Sequence, residues 1–224
     1  MSHITIRHAG GVGDGLMFSS VIKEKYASSY DEVYVDVGRL NWLFKDLYSD
    51  CPNVKFGSRG ETIGLKFADA VEHPSWRNLT WTRNEEIENK LYKEIIDRVG
   101  VDYILIHERP SDNMDRKMIP IDRSLFSTQD LPVINLDDSW LRTNGFSIEN
   151  ILHYGKVLNG AKEIHVYEGS FMNFADSVVK DVPLFGHLYC KPHYFDTNMV
   201  HYNIIKYIRE GKWHKNKWSY IWPK

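Results

Sequence analysis

Short apolar runs alternate along the chain with longer segments in which apolar residues recur every three or four positions. The short runs are rich in β-branched and aromatic residues, which is typical of strands. These predicted strands are Ile4–Arg7, Glu32–Val37, Asn53–Phe56, Asp102–His107, Pro132–Leu136, Glu163–Tyr167 and Pro183–Tyr189. The predicted amphipathic helices are Leu16–Tyr26, Arg39–Leu47, Asn84–Val99, Ile148–Leu158, Phe171–Val179 and Thr197–Arg209. This alternation predicts an α/β fold built on parallel sheets that are covered on both faces.

The helix from Asn84 to Val99 separates an N-terminal set of strands from a C-terminal set. We therefore expect two small Rossmann-like domains, residues 1–99 and 100–209, followed by a tail, residues 210–224. The two longest stretches without periodicity, Ser58–Gly64 and Ser111–Asp130, are predicted to be functional loops.

Composition adds few constraints. The chain has 224 residues, is 42% hydrophobic and carries a formal net charge of −2, as expected of a soluble globular protein. Its end is basic, since Lys206–Lys224 holds six basic residues against Glu210. Two cysteines without a C-x-x-C spacing favour a reducing compartment. With no signal peptide and no apolar run near ~18 residues, we expect a cytoplasmic protein without a membrane segment.

A glycine-rich turn, "HAGGVGDGLMFSS", lies between the first strand and the first helix, where backbone N–H groups can bind a phosphate. A P-loop needs a lysine directly after its last glycine, and none follows until Lys23. A dinucleotide fingerprint that starts at Gly11 would need a glycine at position 16, where this chain has Leu16. Asp36 ends the second strand where a ribose-binding acid is expected, so NAD binding stays an alternative.

Asp14 lies where a bound pyrophosphate would be, and its carboxylate would repel phosphate. A helix N terminus stabilises the ionised form of this side chain. Asp14 is therefore either an N-cap or a general base. Gly13 and Gly15 on either side of it leave room for a substrate.

Two later segments, each directly after a predicted strand, are better suited to bind phosphate. The first is "HERPSDNMDRK", after a strand, where a guanidinium fork can donate two parallel hydrogen bonds to a diphosphate. Its candidate ligand-binding residues are His107, Arg109, Asp112, Arg116 and Lys117. The alternative for this segment is a solvated loop with internal ion pairs.

The second segment is "YEGSFMNFADSV", in which Gly169 allows close backbone approach and Ser170 begins a helix. Glu168 can accept hydrogen bonds from ribose hydroxyls. Taken alone, Ser170 is also consistent with a simple helix cap.

These segments resemble a known group of enzymes. "GGVGDGLMFSSVIKEKY" resembles the N-terminal Gly-Asp motif of heptosyltransferase-type glycosyltransferases. "HERPSD" is similar to the His-x-Arg-Arg-x-Asp motif of fucosyltransferases that use GDP-sugars. "YEGSFMNFAD" resembles the segment that both groups carry before their nucleotide-binding helix. The three motifs cover about 30 residues, in the family order. The resemblance implies the GT-B architecture, two Rossmann-like domains that face each other across a cleft, with the donor on the C-terminal one.

The resemblance implies metal-independent, inverting transfer of a sugar from a nucleotide diphosphate sugar, with GDP- or ADP-linked donors favoured, to a saccharide or another hydroxyl acceptor. Asp14 is then the general base, and Arg109, with Arg116 or Lys117, holds the diphosphate together with Ser170. No cofactor or metal is implied. Two positions depart from the motifs: Pro110 replaces the second arginine, and Asn173, also a candidate donor contact, stands where heptosyltransferases have histidine. The N-terminal half is short for this architecture.

Other features leave alternatives open. His187, Cys190 and His193 have a metal-like spacing, but no fourth ligand lies near them in the sequence. The tail interleaves Trp213, Trp218 and Trp222 with lysines, a pattern that suits base stacking, sugar stacking, a membrane surface, or packing of the chain end on the first domain. The alternative functions are a non-catalytic nucleotide- or sugar-binding module and a nucleic-acid-binding protein that uses this tail.

Overall fold

The computed structural model describes residues 2–8, 12–37, 45–66, 73, 79–108, 119–190 and 205–222, with only the backbone for Asp14 and Cys190. The chain forms two compact units, Met1–Arg83 and Asn84–Lys224. Each contains a parallel sheet, in agreement with the predicted α/β class and with Rossmann-like units.

The first unit has four parallel strands in the order β3-β2-β1-β4. They are β1 (His3–His8), β2 (Glu32–Asp36), β3 (Val54–Phe56) and β4 (Thr62–Leu65). Helix α1 (Val12–Val21) follows β1 and continues as a π-helical segment, Ile22–Ala27. The side chains of Ile4, Ile6 and Val33 are buried because β1 and β2 lie in the middle of the sheet.

The second unit has five parallel strands in the order β6-β5-β7-β8-β9. The strands are β5 (Ile104–His107), β6 (Val133–Asn135), β7 (Glu163–Tyr167), β8 (Leu184–His187) and β9 (Trp218–Ile221). The α-helices of this unit are α2 (Glu85–Val99), α3 (Asp138–Thr143), α4 (Gly155–Gly160) and α5 (Ser170–Val178). Short 3-10 helices lie at Arg123–Leu125, Ile151–Tyr154 and Leu188–Cys190, and another lies at Asp46–Tyr48 in the first unit. Every residue of β5 and β7 is buried, so the centre of this sheet is covered on both faces.

Helix α2 belongs to the second unit, whereas the sequence assigned it to a first domain that ended at residue 99. Asn84 caps the helix by accepting the N–H of Ile87 at 3.2 Å. The buried carboxylate of Glu88 accepts the N–H of Lys156 at 2.9 Å, at the start of α4. The contact with α4 ties α2 to the second unit, so the division falls at Asn84 instead of Gly100.

The tail contributes a strand to the second sheet. Residues 218–221 form β9, the edge strand that pairs with β8 of the same unit. The buried Asp176 carboxylate accepts the N–H groups of Lys215 and Asn216, both at 2.9 Å, and Nε1–H of Trp218 at 3.0 Å. Three hydrogen bonds to one side chain of α5 hold this part of the tail on the sheet of the second unit.

The predicted strands are confirmed at their centres, and β4 and β9 are additional strands. Two predicted helices lie mostly outside the described residues. Of Arg39–Leu47, the described end belongs to a 3-10 helix at Asp46–Tyr48, and of Thr197–Arg209, residues 205–209 are helical. Within the described part of the chain, no helix is long and apolar enough to cross a membrane.

Candidate functional site

The strand order of the second unit reverses between β5 and β7, because β6 lies on one side of this pair and β8 and β9 on the other. In open parallel sheets, ligands bind at the carboxyl ends of the strands at such a reversal. The register places His107 at the end of β5 opposite Val166 of β7. The predicted site residues His107, Glu168, Gly169 and Ser170 therefore come together at one edge of this sheet.

His107 packs against two aromatic rings at this edge. Its imidazole is buried and stacks on the ring of Phe171, with ring centroids 4.0 Å apart and planes 26° apart. The ring of Tyr167, the last residue of β7, lies 5.4 Å away. The ring of His107 thus packs under the first turn of α5, where it supports the N terminus of that helix.

Helix α5 begins at Ser170, two residues after the end of β7, and none of the described side chains caps it. Gly169, the residue before it, has an extended backbone, and its carbonyl accepts the N–H of Asn173 at 3.2 Å. Ser170 and Asn173 are half-buried at this end of the helix. An uncapped helix N terminus presents backbone N–H groups and a positive dipole end, which suits an anion.

Side chains of α5 and β9 pack closely on a glycine of β8. A Cβ atom at Gly186 would lie 2.6 Å from Cε of Met172, on α5, and 3.1 Å from the ring of Tyr220, on β9. A larger residue at this position would require the Met172 side chain to move.

Two carboxylates at this edge have different environments. Glu168 is 9% exposed and directly precedes Gly169. Glu108, which directly follows β5, binds the protein itself: its Oε1 accepts the N–H of Ile121 at 2.6 Å and its Oε2 pairs with Arg123. The sequence did not single out Glu108 within "HERPSD", although a carboxylate between His107 and Arg109 was a signal.

The basic residues predicted for the diphosphate, Arg109, Arg116 and Lys117, lie outside the described residues, as does Asp112. The chain leaves the sheet at Glu108 and is bonded to the Glu108 carboxylate again at Ile121. Ile121, which follows these residues in the sequence, therefore lies beside Glu108 at the carboxyl end of β5.

In the first unit, Gly13 and Gly15 are part of α1, which begins at Val12 and not at Leu16. Asp14 accordingly belongs to the first turn of the helix and not to its N-cap position, and its side chain lies outside the described part. A first-turn carboxylate is favoured by the helix dipole. Asp36 accepts hydrogen bonds from Arg7, at 2.9 Å from Nε and 2.7 Å from Nη2, so the acid that NAD binding would use is already paired.

His8 ends β1 at the point where the strand order of the first sheet reverses, and the sequence did not single it out as a site residue. Its buried ring lies 4.9 Å from the ring of Phe18. Burial lowers the pKa of His8 to about 4, against a smaller opposing effect of Asp36. A neutral imidazole therefore lies beside the start of α1 at neutral pH.

Among the described side chains, no group of three or more His, Cys, Asp or Glu residues is arranged to hold a metal ion. His187, from the metal-like spacing, is hydrogen-bonded to His165 at 2.8 Å and to Tyr189 at 3.2 Å. His193 and the side chain of Cys190 lie outside the described part.

Comparison with known proteins identifies a fold. No protein-family model matches the chain, and no curated protein matches its sequence. A solved structure, the glycosyl transferase family 9 from Veillonella parvula DSM 2008, matches with a TM-score of 0.51 and 9% sequence identity. The match covers 83% of this chain and 80% of that one. The chain thus has a glycosyltransferase-like α/β fold of two parallel sheets.

Proposed function

We propose that the protein is a glycosyltransferase that moves a sugar from a nucleotide diphosphate sugar to an acceptor hydroxyl. The observation that carries this proposal is the uncapped N terminus of α5 beside His107 and Glu168, at the strand-order reversal of the second sheet. The fold shared with a family 9 glycosyl transferase supports it. The GT-B arrangement, with a cleft between the domains, is part of the proposal.

The donor is held by its diphosphate and its ribose. Backbone N–H groups in the first turn of α5 and the hydroxyl of Ser170 bind the diphosphate oxygens. Arg109, with Arg116 or Lys117, adds positive charge from the segment after β5, so a metal ion is not required. Glu168 accepts hydrogen bonds from the ribose hydroxyls. The motifs favour GDP or ADP as the nucleotide.

Transfer proceeds by direct displacement. Asp14 takes the proton of the acceptor hydroxyl as its oxygen attacks the anomeric carbon. The bond between that carbon and the diphosphate oxygen breaks, and its electron pair leaves with the diphosphate, whose charge Arg109 and α5 stabilise. One displacement inverts the anomeric configuration.

Two serines on α5 provide a matched test. Ser170 lies in the first turn, whereas Ser177 near the other end donates its hydroxyl to the carbonyl of Asn173 at 2.9 Å. Ser170→Ala removes one hydrogen bond to the diphosphate and should weaken nucleoside diphosphate binding about fivefold, while Ser177→Ala should not change it. Titration calorimetry with GDP and ADP measures both. Equal affinities in the two variants would contradict the diphosphate site.

A non-catalytic nucleotide- or sugar-binding module is the second candidate, and the missing arginine at Pro110 together with the short first half favours it. This module would bind a nucleotide sugar without turning it over. A product assay with donor and acceptor, read by NMR at the anomeric carbon, separates it from the enzyme.

The tail gives little support to nucleic-acid binding. Trp213 and Trp218 are buried within the second unit, at 2% and 7% exposure, so neither ring is presented for stacking on bases.

A further inference from the structure

A row of aromatic side chains runs along β9. The rings of Trp218 and Tyr220 have centroids 6.5 Å apart and planes 18° apart, and the ring of Trp222 lies 6.4 Å from that of Tyr220. His214 packs against the first two rings, and its Nδ1 lies 2.7 Å from the Tyr220 hydroxyl. Trp218 is buried, whereas Tyr220 and Trp222 are half-buried. The row is therefore open to solvent towards its Trp222 end.

Contacts with α5 show where this open end lies. Trp218 donates its Nε1–H to Asp176, in the second turn of α5, at 3.0 Å. Tyr220 packs on the glycine of β8 beside Met172, which belongs to the first turn. The strand and the helix thus run in opposite directions, and two strand residues advance about as far as four helix residues, roughly 6–7 Å. One further step along both elements brings Trp222 level with the start of α5.

A guanidinium lies over the Trp222 ring. Cζ of Arg209 is 5.0 Å from the ring centroid, and Arg209 is exposed. Its neighbours Lys206 and Lys212 both pair with Glu210, but none of the described carboxylates forms an ion pair with Arg209. The hydrogen-bond donors of Arg209 are therefore available to a ligand, next to an aromatic ring at the start of α5.

A flat aromatic ligand suits this arrangement. Stacking of a base on an indole is stronger than an exposed contact between a guanidinium and an indole. A base can therefore replace the guanidinium over Trp222, while Arg209, on its flexible stem, turns to the edge of the base. Guanine presents two adjacent acceptors there, O6 and N7, which match the guanidinium fork. Adenine presents an amino donor beside N7, so the pair suits guanine better.

We propose that Trp222 and Arg209 bind the base of the donor nucleotide and select guanine. Trp222 supplies the stacking surface, and Arg209 donates two hydrogen bonds to O6 and N7. β9 lies two strands from β7 in the sheet, about 10 Å, a separation that a ribose can bridge between a base and its diphosphate. This inference rests on the proposed function, because the start of α5 must bind the diphosphate of the same molecule.

Titration calorimetry with GDP, inosine diphosphate and ADP tests the contact of Arg209. Inosine diphosphate keeps the O6 and N7 of guanine, so it should bind as GDP does, and ADP should bind about tenfold more weakly. Arg209→Ala should remove this preference, and Arg209→Lys, which keeps the charge without the fork, should lose most of it. Lys206→Ala is the matched control, because it removes a charge from the same helical stretch and should leave all three affinities unchanged.

Two variants of Trp222 test the stacking contact. Trp222→Ala should weaken binding of all three nucleotides about tenfold, whereas Trp222→Phe keeps an aromatic ring and should retain most of the affinity. GDP should quench tryptophan fluorescence in the wild type and quench it less in Trp222→Phe. Trp140→Phe is the control, because Trp140 stacks on Phe146 in the same unit, and it should keep the full decrease in signal.

The outcomes separate this inference from the proposed function. Wild-type GDP affinity in both Trp222→Ala and Arg209→Ala, with binding still weakened in Ser170→Ala, would overturn the base site and leave the diphosphate site standing. Equal affinities of the wild type for GDP and ADP, or tighter binding of ADP, would overturn the selection of guanine. If the wild type binds no nucleoside diphosphate, the proposed function fails and the base site fails with it.

Discussion

Lowering the pH from about 7.5 to about 5 should reduce the free energy of unfolding of the second unit by about 4 kcal/mol. The cause is the pair His165 and His187, both buried as neutral imidazoles. In the folded chain, burial lowers the pKa of His165 to about 4; burial, together with the neighbouring His165, lowers that of His187 to about 3. In the unfolded chain both have ordinary values near 6.5.

The sign follows from proton uptake. Between about pH 6.5 and pH 4 the unfolded chain binds a proton at each histidine and the folded chain does not, so stability falls as pH falls. Each histidine contributes a slope of up to about 1.4 kcal/mol per pH unit, and roughly 2 kcal/mol over the stated range. Asp176 acts in the opposite direction, because burial raises the pKa of its carboxyl. Against a domain stability of about 5–15 kcal/mol, this loss is large.

Urea unfolding followed by tryptophan fluorescence at a series of pH values measures this effect. Four of the seven tryptophans belong to the second unit, so its unfolding contributes to the signal. His165→Gln removes one of the two titrating groups and should roughly halve the slope. The first unit has His8 as its one such histidine among the described residues and should show a shallower dependence. Equal free energies of unfolding at the two ends of the pH range would refute the reasoning.

Three substitutions test other parts of the account. Asp176→Asn should lower the free energy of unfolding by about 2–3 kcal/mol, because an amide cannot accept all three hydrogen bonds of the tail. Urea unfolding measures this loss, with Asp97→Asn, at an exposed position, as the control. Equal losses in the two variants would contradict the contribution of Asp176. Asp14→Asn should abolish sugar transfer in a product assay while calorimetry shows nucleotide affinity retained, and a near-normal rate would exclude Asp14 as the base. Arg109→Ala should raise the nucleotide dissociation constant about tenfold in calorimetry, and an unchanged value would remove Arg109 from the donor site.

The sequence predicts elements well where the local pattern and the environment agree. The runs that became β5 and β7 are apolar throughout, as strands buried on both faces must be. Strand β4 is only four residues long, includes Gly64 and is mostly not buried, so its sequence reads as a loop. Strand β9 depends on pairing with β8 and on Asp176, some 40 residues away, and neither contact leaves a local pattern.

The candidate site, like the fold, could be predicted from the sequence only in part. The positions of His107, Glu168 and Ser170 at strand ends follow from the order of strands and helices, because parallel strands end at a common edge. The contacts of Glu108 and Asp176 could not be predicted, because a carboxylate that holds backbone amides has the same sequence signature as one that binds a ligand. The contact between His165 and His187 depends on the register of β7 and β8, which only the folded chain reveals.

Titration calorimetry of the full chain with GDP, ADP, UDP, CMP and NAD tests the central claim most directly. A donor site at the N terminus of α5 predicts saturable binding of a nucleoside diphosphate, GDP or ADP before the others, that weakens in Ser170→Ala and is kept in Ser177→Ala. The claim is contradicted if no nucleoside diphosphate binds, or if one binds with the same affinity in both variants.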